Sequence, residues 1–516
     1  MLWWANLAAN TGAWVQNTGA GWMMTSIDPS PLMVSLVQAS SLLPVFLLAL
    51  PAGALADILD RRKFLIAAQA WMLLVSLILC AMTWAGVLGP WGLLALTFAV
   101  GAGTAMTFPG WAATTPELVP RHDLVQAIAL NGMGFNMARS IGPALGGFVI
   151  GWFGTAASFA VNAVCAALLL IALLFWRREP EEAARTLPSE HFLSAMRAGV
   201  RFVAASPLLK ATILRAVAFF FFGAAMWGLL PLLVREQLKL GPESFGLMLT
   251  AMGVGAVGGG FAMPWMRTKA NRSQIVVIGA MVSSVSLALL GLSFHWVPAA
   301  VGMFGYGVAW IVVASTLQAS AQFASPGWVR ARAIGIYQLS FFGAMAAGST
   351  LAGWAGREFG LTATLCAAGA FSAIASWAVR KAPLEAAAIA APASSPEQPR
   401  PDAPAPELAS LLHGDSGRVL EVVRYTVAPA DRGRFLAAMK DCRRVRLRGG
   451  AITWRLYEDV AHPERWVELW AMENWVDHLR ETGRMTTEDN AALVRAAAFQ
   501  TGDGPPEAAR YLNVMK

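Results

Sequence analysis

One arginine stands where charged side chains are rare. Arg139 lies about fourteen residues into an apolar stretch over 125–150, and no aspartate or glutamate lies comparably deep in any other long apolar stretch. A guanidinium at such a depth is costly unless it faces a cavity or a partner. Its chemistry is either the binding of an anionic small molecule or the bracing of helices through backbone carbonyls. The sequence leaves both open.

A glycine-rich motif follows in the same stretch. Residues 142–147 read GPALGG, which places Gly142, Pro143, Gly146 and Gly147 close together on one predicted helix. Proline frees a backbone carbonyl, and glycine lets another helix approach closely. The motif therefore predicts a tight helix contact.

A second charged motif separates two apolar stretches, and residues 53–63 read GALADILDRRK. Gly53 permits close helix approach. Asp57 is able to pair with the positive end of a helix or with a basic partner such as Arg330 or Arg332. We expect such a pair to form in only one conformational state, and the alternative is a solvated loop charge. The basic part of the motif consists of Arg61, Arg62 and Lys63.

Uncharged polar side chains recur within the apolar stretches. Taken singly, each is more commonly an interhelical hydrogen bond than a ligand. As a group they predict a weakly polar cavity with aromatic surroundings, which suits an amphipathic or lipophilic small molecule. The candidate cavity residues are Asn10, Asn17, Gln38, Asn131, Arg139, Tyr337 and Gln338.

The composition indicates which elements hold these residues. The chain has 516 residues, is 56% hydrophobic and 14% charged, and has a mean hydropathy of +0.53. These values predict an integral membrane protein. The net charge of +8 does not indicate nucleic acid, because the basic residues gather at the ends of apolar stretches. The four cysteines show neither metal-ligand spacing nor a disulfide framework, and no metal or cofactor is predicted.

Twelve apolar stretches, each long enough to cross a membrane as a helix, divide residues 1–381. At an offset of 206 residues, five glycine or proline pairs recur in order, among them Gly147 with Gly353. This repeat predicts two six-helix bundles with a site between them. The bundles cover 1–176 and 211–381, and their spans lie near 2–26, 32–56, 64–86, 90–115, 125–150, 155–176, 211–234, 244–266, 273–294, 297–323, 331–355 and 361–379.

The basic residues also predict the orientation. With the amino terminus inside, seventeen lysines and arginines fall on the cytoplasmic side, and only Arg235, Lys239 and Arg357 fall on the other. This bias places both termini in the cytoplasm. No cleavable signal peptide is predicted, because the first apolar run continues into a polytopic protein. Met1 begins almost inside the first span, so we expect either a truncated start or a start further upstream.

The connection between the bundles, residues 177–210, is charged. Phe192, Met196, Val200 and Val203 recur at helical spacing in it and predict an amphipathic helix. A helix lying on the membrane surface and a solvated linker helix both fit this pattern.

Beyond the spans, the composition changes twice. Residues 382–412 form an Ala/Pro-rich linker, and 413–516 alternate as β-α-β-β-α-β, the order of a ferredoxin-like domain. Trp466 and Trp470 are predicted to share one face of a strand. His478 has no evident acid partner in the sequence. A basic cluster in the first helix is interpreted as a solvated face, with anionic lipid as the alternative; it consists of Arg443, Arg444, Arg446 and Arg448.

Several of these segments resemble one family. The motif at 53–63 resembles the signature after helix 2 of major facilitator transporters, and GPALGG resembles the helix 5 motif of their antiporters. The phrases PELVPR (116–121) and ALNGMGFNMARSIGPALGG (129–147), with the tail at 450–480, resemble the enterobactin-exporter-like branch, also called transmembrane secretion effectors. The resemblance covers nearly the whole chain.

The resemblance implies a twelve-helix major facilitator fold in the bacterial inner membrane. It implies proton-coupled export of small amphipathic molecules, of the drug or siderophore class, by alternating access. It makes gate elements of eight residues: Gly53, Asp57, Arg61, Arg62, Gly142, Pro143, Gly146 and Gly147. This chain departs from the family at helix 4, where Thr97 and Phe98 stand near the position of an expected arginine. Without that arginine or a deep carboxylate, the route of a coupling proton is not identified.

Two alternatives stay open. The first is a nutrient importer of the same fold. The second is a transporter whose C-terminal domain is a monooxygenase-like enzyme, since the strand order also resembles small dimeric α/β-barrel proteins. An aromatic pocket there would include Trp454 and His478. The expected partners are a small-molecule cargo, protons, the lipid bilayer and a second copy bound through the C-terminal domain, and no nucleic acid is expected.

Overall fold

A computed structural model describes residues 1–120, 122–176, 192–326, 329–382, 384, 417–485, 487–501 and 504–513. The chain forms two compact units. The first comprises Met1–Glu182, Ala211–Ser320 and Tyr337–Leu384, and the second comprises Ala183–Lys210, Ala321–Ile336 and Glu385–Lys516.

Six long helices before residue 177 form what we call the first half. Pro31 and Pro90 begin the second and fourth of them at the first helical position, where the missing N–H costs nothing. Gly154, with φ of +81°, ends the fifth and lets the sixth begin at once. The helices are α1 (Leu2–Ile27), α2 (Pro31–Ile58), α3 (Arg61–Trp84), α4 (Pro90–Leu118), α5 (Leu124–Phe153) and α6 (Thr155–Phe175).

The second half repeats this arrangement after a short helix, α7 (Phe192–Ala205). Gly360, 206 residues after Gly154, has φ of +84° and joins the last two helices in the same way. The second half comprises α8 (Pro207–Leu232), α9 (Pro242–Lys269), α10 (Arg272–Gly291), α11 (Trp296–Phe323), α12 (Arg330–Phe359) and α13 (Leu361–Ala378).

Several helices turn an apolar stripe outward. Leu74 and Leu77 on α3 are 52% and 51% exposed, and Val285 on α10 is 68% exposed. Such surfaces are tolerated in lipid and not in water. Within the described residues, nine helices are long and apolar enough to cross a membrane.

The buried face of α7 differs from the face that the sequence predicted to be apolar. Val200, expected on the apolar side, is 54% exposed, whereas Phe202 is buried and Gly199 is also covered. The reason is that α7 packs against a helix of the C-terminal domain rather than presenting an evenly apolar stripe. The side chains of Phe192 and Met196 lie outside the described part.

The C-terminal domain, residues 417–513 as described, is built on a four-stranded sheet of antiparallel pairs in the order β2-β3-β1-β4. Its core joins Trp466 and Trp470 of the sheet, each 4% exposed, to Phe435 and Met439 of the first helix. Both tryptophans therefore share the helix-covered face, as predicted. The elements are β1 (Val419–Thr426), α14 (Arg432–Gly449), β2 (Thr453–Glu458), β3 (Arg465–Met472), α15 (Trp475–Arg484), α16 (Thr487–Ala497) and β4 (Glu507–Leu512).

Candidate functional site

The two halves meet closely at the end where α1 ends and α2 begins, called here the α1–α2 end. A Cβ atom added to Gly147 of α5 would lie 2.2 Å from the Cα atom of Gly246 in α9. A Cβ atom added to Gly353 of α12 would lie 1.7 Å from Oγ of Ser35 in α2. Both contacts join the fifth helix of one half to the second helix of the other. The repeated glycines thus occupy equivalent cross-half contacts.

Hydrogen bonds between the halves also hold the α1–α2 end together. Ser349 Oγ of α12 donates a hydrogen bond to the Ser35 carbonyl oxygen at 2.9 Å, and both side chains are fully buried. Arg235, just after α8, donates to Ser26 Oγ and, at 3.0 Å, to Thr25 Oγ1, both at the end of α1. In these bonds the donors come from the second half and the acceptors from the first, so they join the two halves at the α1–α2 end.

An aromatic array occupies the middle of the first unit. Trp14 of α1 lies 5.9 Å from Trp227 of α8, measured between ring centroids, and Trp227 lies 5.7 Å from Trp310 of α11. Tyr306 donates to the Gly223 carbonyl oxygen at 2.8 Å. Trp14 and Trp227 are half-buried, whereas Trp310 is 3% exposed. The first two rings therefore form an accessible aromatic pair that spans the halves.

The predicted cavity residues fall into different environments. Asn17 accepts a hydrogen bond from Ser41 Oγ of α2 at 3.4 Å, and Asn10 donates to the Asn6 carbonyl oxygen within α1 at 2.8 Å. Tyr337 is 2% exposed. Gln38 and Gln338 are half-buried. The structure brings Asn17 to a contact between α1 and α2 and does not unite the set in one pocket.

Asn131 lines a cavity of about 430 Å³ between α1, α4, α5 and α6, which all belong to the first half. Its amide donates to Thr115 Oγ1 at 3.1 Å. Trp111, on the same wall, has a buried indole N–H that finds no acceptor among the described residues. A mainly apolar pocket with these polar groups suits an amphipathic ligand.

Arg139 is half-buried in α5, one turn beyond Phe135, whose ring contacts Phe108 of α4. The glycines that follow pack on α1: Cβ atoms added to Gly142 and Gly146 would lie 2.5 Å from Trp14 Cβ and 2.9 Å from Thr18 Cβ. The GPALGG motif, with Pro143 inside the helix, therefore lets α5 approach two helices closely, α1 on one face and α9 on another.

The predicted loop at 53–63 is much shorter in the structure. Arg61, expected in the loop, begins α3, and Asp60 caps that helix by accepting from the Lys63 N–H at 2.9 Å. Arg62 donates to the carbonyl oxygens of Leu173 and Leu174 at 3.1 and 2.7 Å, at the end of α6. The side chain of Asp57 and the surroundings of Gly53 lie outside the described part. Their gate role stays a prediction.

Two buried polar sites escaped the sequence analysis. Gln16 Oε1 accepts from Ser76 at 2.9 Å and from Asn162 at 2.6 Å, which ties α1, α3 and α6 together. Arg215 of α8, 2% exposed, donates to Ser273 Oγ at 2.6 Å and to the carbonyl oxygens of Arg380 and Ala382. A charge inside the predicted span over 211–234 was the available signal.

The C-terminal domain contains a buried network of ionisable groups. Arg446 Nε lies 3.5 Å from Glu468, and its Nη1 lies 3.4 Å from Glu481. Tyr425 and Trp454 donate to Glu468 at 2.9 and 2.8 Å. Burial would lower the pKa of Arg446, but the two carboxylates outweigh it and raise that pKa. The interpretation of Arg446 as part of a solvated helix face is therefore wrong, because the side chain points into the core.

His478 does have an acid partner. Its Nδ1 lies 2.8 Å from Glu421, which also accepts from Arg510 Nε at 2.7 Å. Burial alone would raise the pKa of Glu421, but His478 and Arg510 hold it below its usual range. Glu421 lies on a strand far from His478 in sequence, so the absence of a visible partner was a wrong prediction. Within the described residues, no cluster of His, Cys, Asp or Glu is arranged to hold a metal.

Close contacts between two repeated halves and outward apolar stripes are features of a transporter in a membrane. The family described as transmembrane secretion effectors matches residues 1–516. The chain belongs to this family of the major facilitator superfamily. It is a membrane transporter and not an enzyme.

Curated relatives agree with this assignment. The chain is 25% identical over 292 residues to the staphyloferrin A transporter of Staphylococcus aureus, covering 55% of this chain and 70% of that protein. It is 27% identical over 205 residues to the enterobactin exporter EntS of Shigella flexneri, covering 40% of this chain and 47% of that protein.

Solved structures show the same transporter fold. A bacterial homologue of the human lysosomal transporter Spinster, in an inward-facing and unoccupied conformation, matches with a TM-score of 0.61 at 14% identity, covering 74% of this chain and 96% of that one. A D-xylose–proton symporter matches with a TM-score of 0.58 at 14% identity, covering 73% and 97%.

Proposed function

We propose that the protein is a proton-coupled exporter of small amphipathic molecules, of the drug or siderophore class, in the bacterial inner membrane. It works by alternating access with twelve membrane spans and both termini in the cytoplasm. The proposal extends the family assignment to a direction, a coupling ion and a cargo class.

The paired glycine contacts are the basis of the proposed alternating-access mechanism. Gly147–Gly246 and Gly353–Ser35 join equivalent helices of the two halves at one end of the bundle. Because glycine makes such contacts without side-chain interlocking, they are able to open and close as the halves rock. The distribution of basic residues favours an outer location for the α1–α2 end, and in the proposed cycle the contacts at this end belong to an inward-facing state.

The chemistry of the central residues supports the cargo class. Trp14 and Trp227 offer half-buried aromatic faces from both halves. Aromatic faces bind flat apolar groups well. Arg139 adds a planar cationic fork that suits a carboxylate or another anionic group. An amphipathic molecule with one anionic group fits this combination.

Relatives support the direction. The matched Shigella protein is named an enterobactin exporter, and the matched Staphylococcus protein is named a transporter of staphyloferrin A. GPALGG, at Gly142 to Gly147, resembles the helix 5 motif of antiporters and belongs to the same interpretation.

The deciding experiment uses inverted membrane vesicles with an imposed pH gradient. Catecholate siderophores and lipophilic cations form the test panel. Accumulation that requires an acidic vesicle interior supports proton antiport. Uptake in right-side-out vesicles driven by an acidic exterior, with no accumulation in inverted ones, contradicts export and favours the importer.

The C-terminal domain is proposed to be ferredoxin-like and to pair with a second copy through the uncovered face of its sheet. The order β2-β3-β1-β4 and the half-buried Val467 and Leu469 on that face support the pairing. Sedimentation of the purified protein in detergent should give a dimer. A Leu469→Asp variant should give a monomer, and an unchanged mass for that variant contradicts the sheet contact.

A further inference from the structure

The helix α7 is bound by the C-terminal domain through one acidic residue. Glu473, directly after β3, lies 3.7 Å from Nη1 of Arg197 and 3.8 Å from Nη2 of Arg201. The two arginines are one helical turn apart, so both face the same carboxylate. The helix also packs against α14. The connection between the two halves is thus docked on the domain.

Glu473 is held in place by its neighbours. The preceding Met472 is fully buried in the core of the domain. The following Asn474 caps α15 by accepting from the Asp477 N–H at 2.8 Å. The carboxylate therefore presents itself to α7 from a fixed backbone, which favours a specific ion pair over a diffuse attraction.

The opposite side of α7 contacts the start of α12. A Cβ atom added to Gly199 would lie 3.0 Å from Cβ of Arg332, in the first turn of α12. Phe202, on the covered side of α7, is 1% exposed. The helix is therefore held between the C-terminal domain and the first turn of α12, all within the second unit.

The helix α7 is joined to α8 with almost no break. Only Ser206 separates the two helices, and its N–H donates to the Phe202 carbonyl oxygen at 2.9 Å. The Lys210 N–H donates to the Ser206 carbonyl oxygen at 3.1 Å, and the Leu209 N–H donates to Ser206 Oγ at 3.4 Å. The hydrogen bonds continue across the junction, so the beginning of α8 follows α7.

The ion pairs of Glu473 with Arg197 and Arg201 are partly exposed to solvent. The side chain of Arg197 is 64% exposed, whereas those of Arg201 and Glu473 are 23% and 28% exposed. Ion pairs of this kind are weak and are screened by salt. The ion pairs alone are thus weak enough to release α7, and the packing of α7 against α14 adds to the docking.

We propose that the C-terminal domain is an intramolecular brake on transport that acts through Glu473. Docking of α7 restrains the start of α8 and the first turn of α12, two helices that must tilt when the halves rock. Release of α7 removes this restraint. The docking stands on the contacts alone, whereas the braking role rests on the proposed alternating-access function.

Hydrogen exchange of the full-length protein in lipid nanodiscs tests both parts without a cargo. In a Glu473→Arg variant, amides at 197–205 should exchange at least about threefold faster. Peptides at the α1–α2 end, near Thr25 and Arg235, should also exchange faster because the halves open more often. Adding Arg197→Glu and Arg201→Glu to Glu473→Arg restores the opposite charges and should restore both rates.

A matched control is Glu507→Arg, which breaks the Glu507–Arg424 ion pair elsewhere on the domain. It should leave both rates unchanged. Unchanged exchange at 197–205 in Glu473→Arg, or no restoration by the charge swap, overturns the docking. Faster exchange at 197–205 with an unchanged α1–α2 end overturns the brake and leaves the transport proposal untouched.

Discussion

Gly147 and Gly246 face each other with no room for a side chain, because a Cβ atom on Gly147 would lie 2.2 Å from the Gly246 Cα atom. The neighbour is backbone and is unable to rotate away. The contact between α5 and α9 is therefore set by two missing side chains. Gly353 likewise leaves no room for a side chain, because an added Cβ atom would lie 1.7 Å from Ser35 Oγ.

A Gly147→Ala variant should insert into the membrane but lose at least about tenfold in transport rate, since overpacking costs about 1–3 kcal/mol in the closed state. Transport in inverted vesicles and the amount of protein in the membrane are the measurements. The control is Gly258→Ala in α9, where an added Cβ meets nothing within 4 Å. Normal transport by Gly147→Ala would show that the contact does not need to close.

An Arg235→Ala variant should loosen the α1–α2 end. Arg235 donates to Thr25 and Ser26, and a hydrogen bond from a charged donor is worth about 1.5–3 kcal/mol. Hydrogen exchange at the end of α1 should rise about tenfold. Arg357→Ala, which removes a weak pair with its neighbour Glu358, is the control. Equal hydrogen exchange at the end of α1 in both variants would show that the Arg235 hydrogen bonds do not hold this end closed.

An Arg139→Lys variant separates the two interpretations of this arginine. If Arg139 binds an anionic cargo group as a planar fork, lysine should lower transport about tenfold or more while leaving thermal stability nearly unchanged. If Arg139 braces helices, the melting temperature should fall instead. Arg357→Lys serves as the matched substitution at an exposed site. Full transport with normal stability would rule out both roles.

An Arg446→Leu variant should destabilise the C-terminal domain by about 3–5 kcal/mol, because it leaves Glu468 and Glu481 buried without their cation. Urea unfolding monitored by hydrogen exchange in β1 and β3 measures the change. Arg444→Gln, which breaks an exposed pair with Asp441, should shift stability by less than about 0.5 kcal/mol. Similar losses in the two variants would mean that burial of Arg446 is unimportant.

The domain should lose stability in acid through Glu421. Its pKa is lowered in the folded state below the ordinary value of 4.5, so its contribution is present above that value and is lost as the pH falls through the folded pKa. A Glu421→Gln variant should be less stable at pH 7 and show a smaller further loss below pH 4.5. An unchanged acid profile would contradict this assignment.

Glu481 should have the opposite effect on how the stability of the domain depends on pH. Burial, opposed only in part by Arg446, raises its pKa. Its contribution to stability is therefore full at low pH and is lost as the pH rises through the folded pKa. The two glutamates belong to one network but titrate on opposite sides of 4.5, the ordinary value for both.

The sequence determined the features that depend on periodicity and composition. Apolar stretches of membrane length and the internal repeat predicted a membrane protein of two six-helix halves. The resemblance of the motif at 53–63 and of GPALGG to major facilitator transporters added the family, and the family match confirms it. Local rules also worked: Gly360 repeats the left-handed turn of Gly154 at an offset of 206. Such features depend on neighbours in the chain, which the sequence displays directly.

Tertiary structure decided which residues meet. Arg446 looked like one of several surface arginines, because only packing against β3 and α15 shows that it is buried between Glu468 and Glu481. His478 finds Glu421 across 57 positions of the chain. The docking of α7 on Glu473 had no local signal either. Contacts between distant segments depend on how whole elements pack. A periodic pattern does not show which distant residue will be the partner.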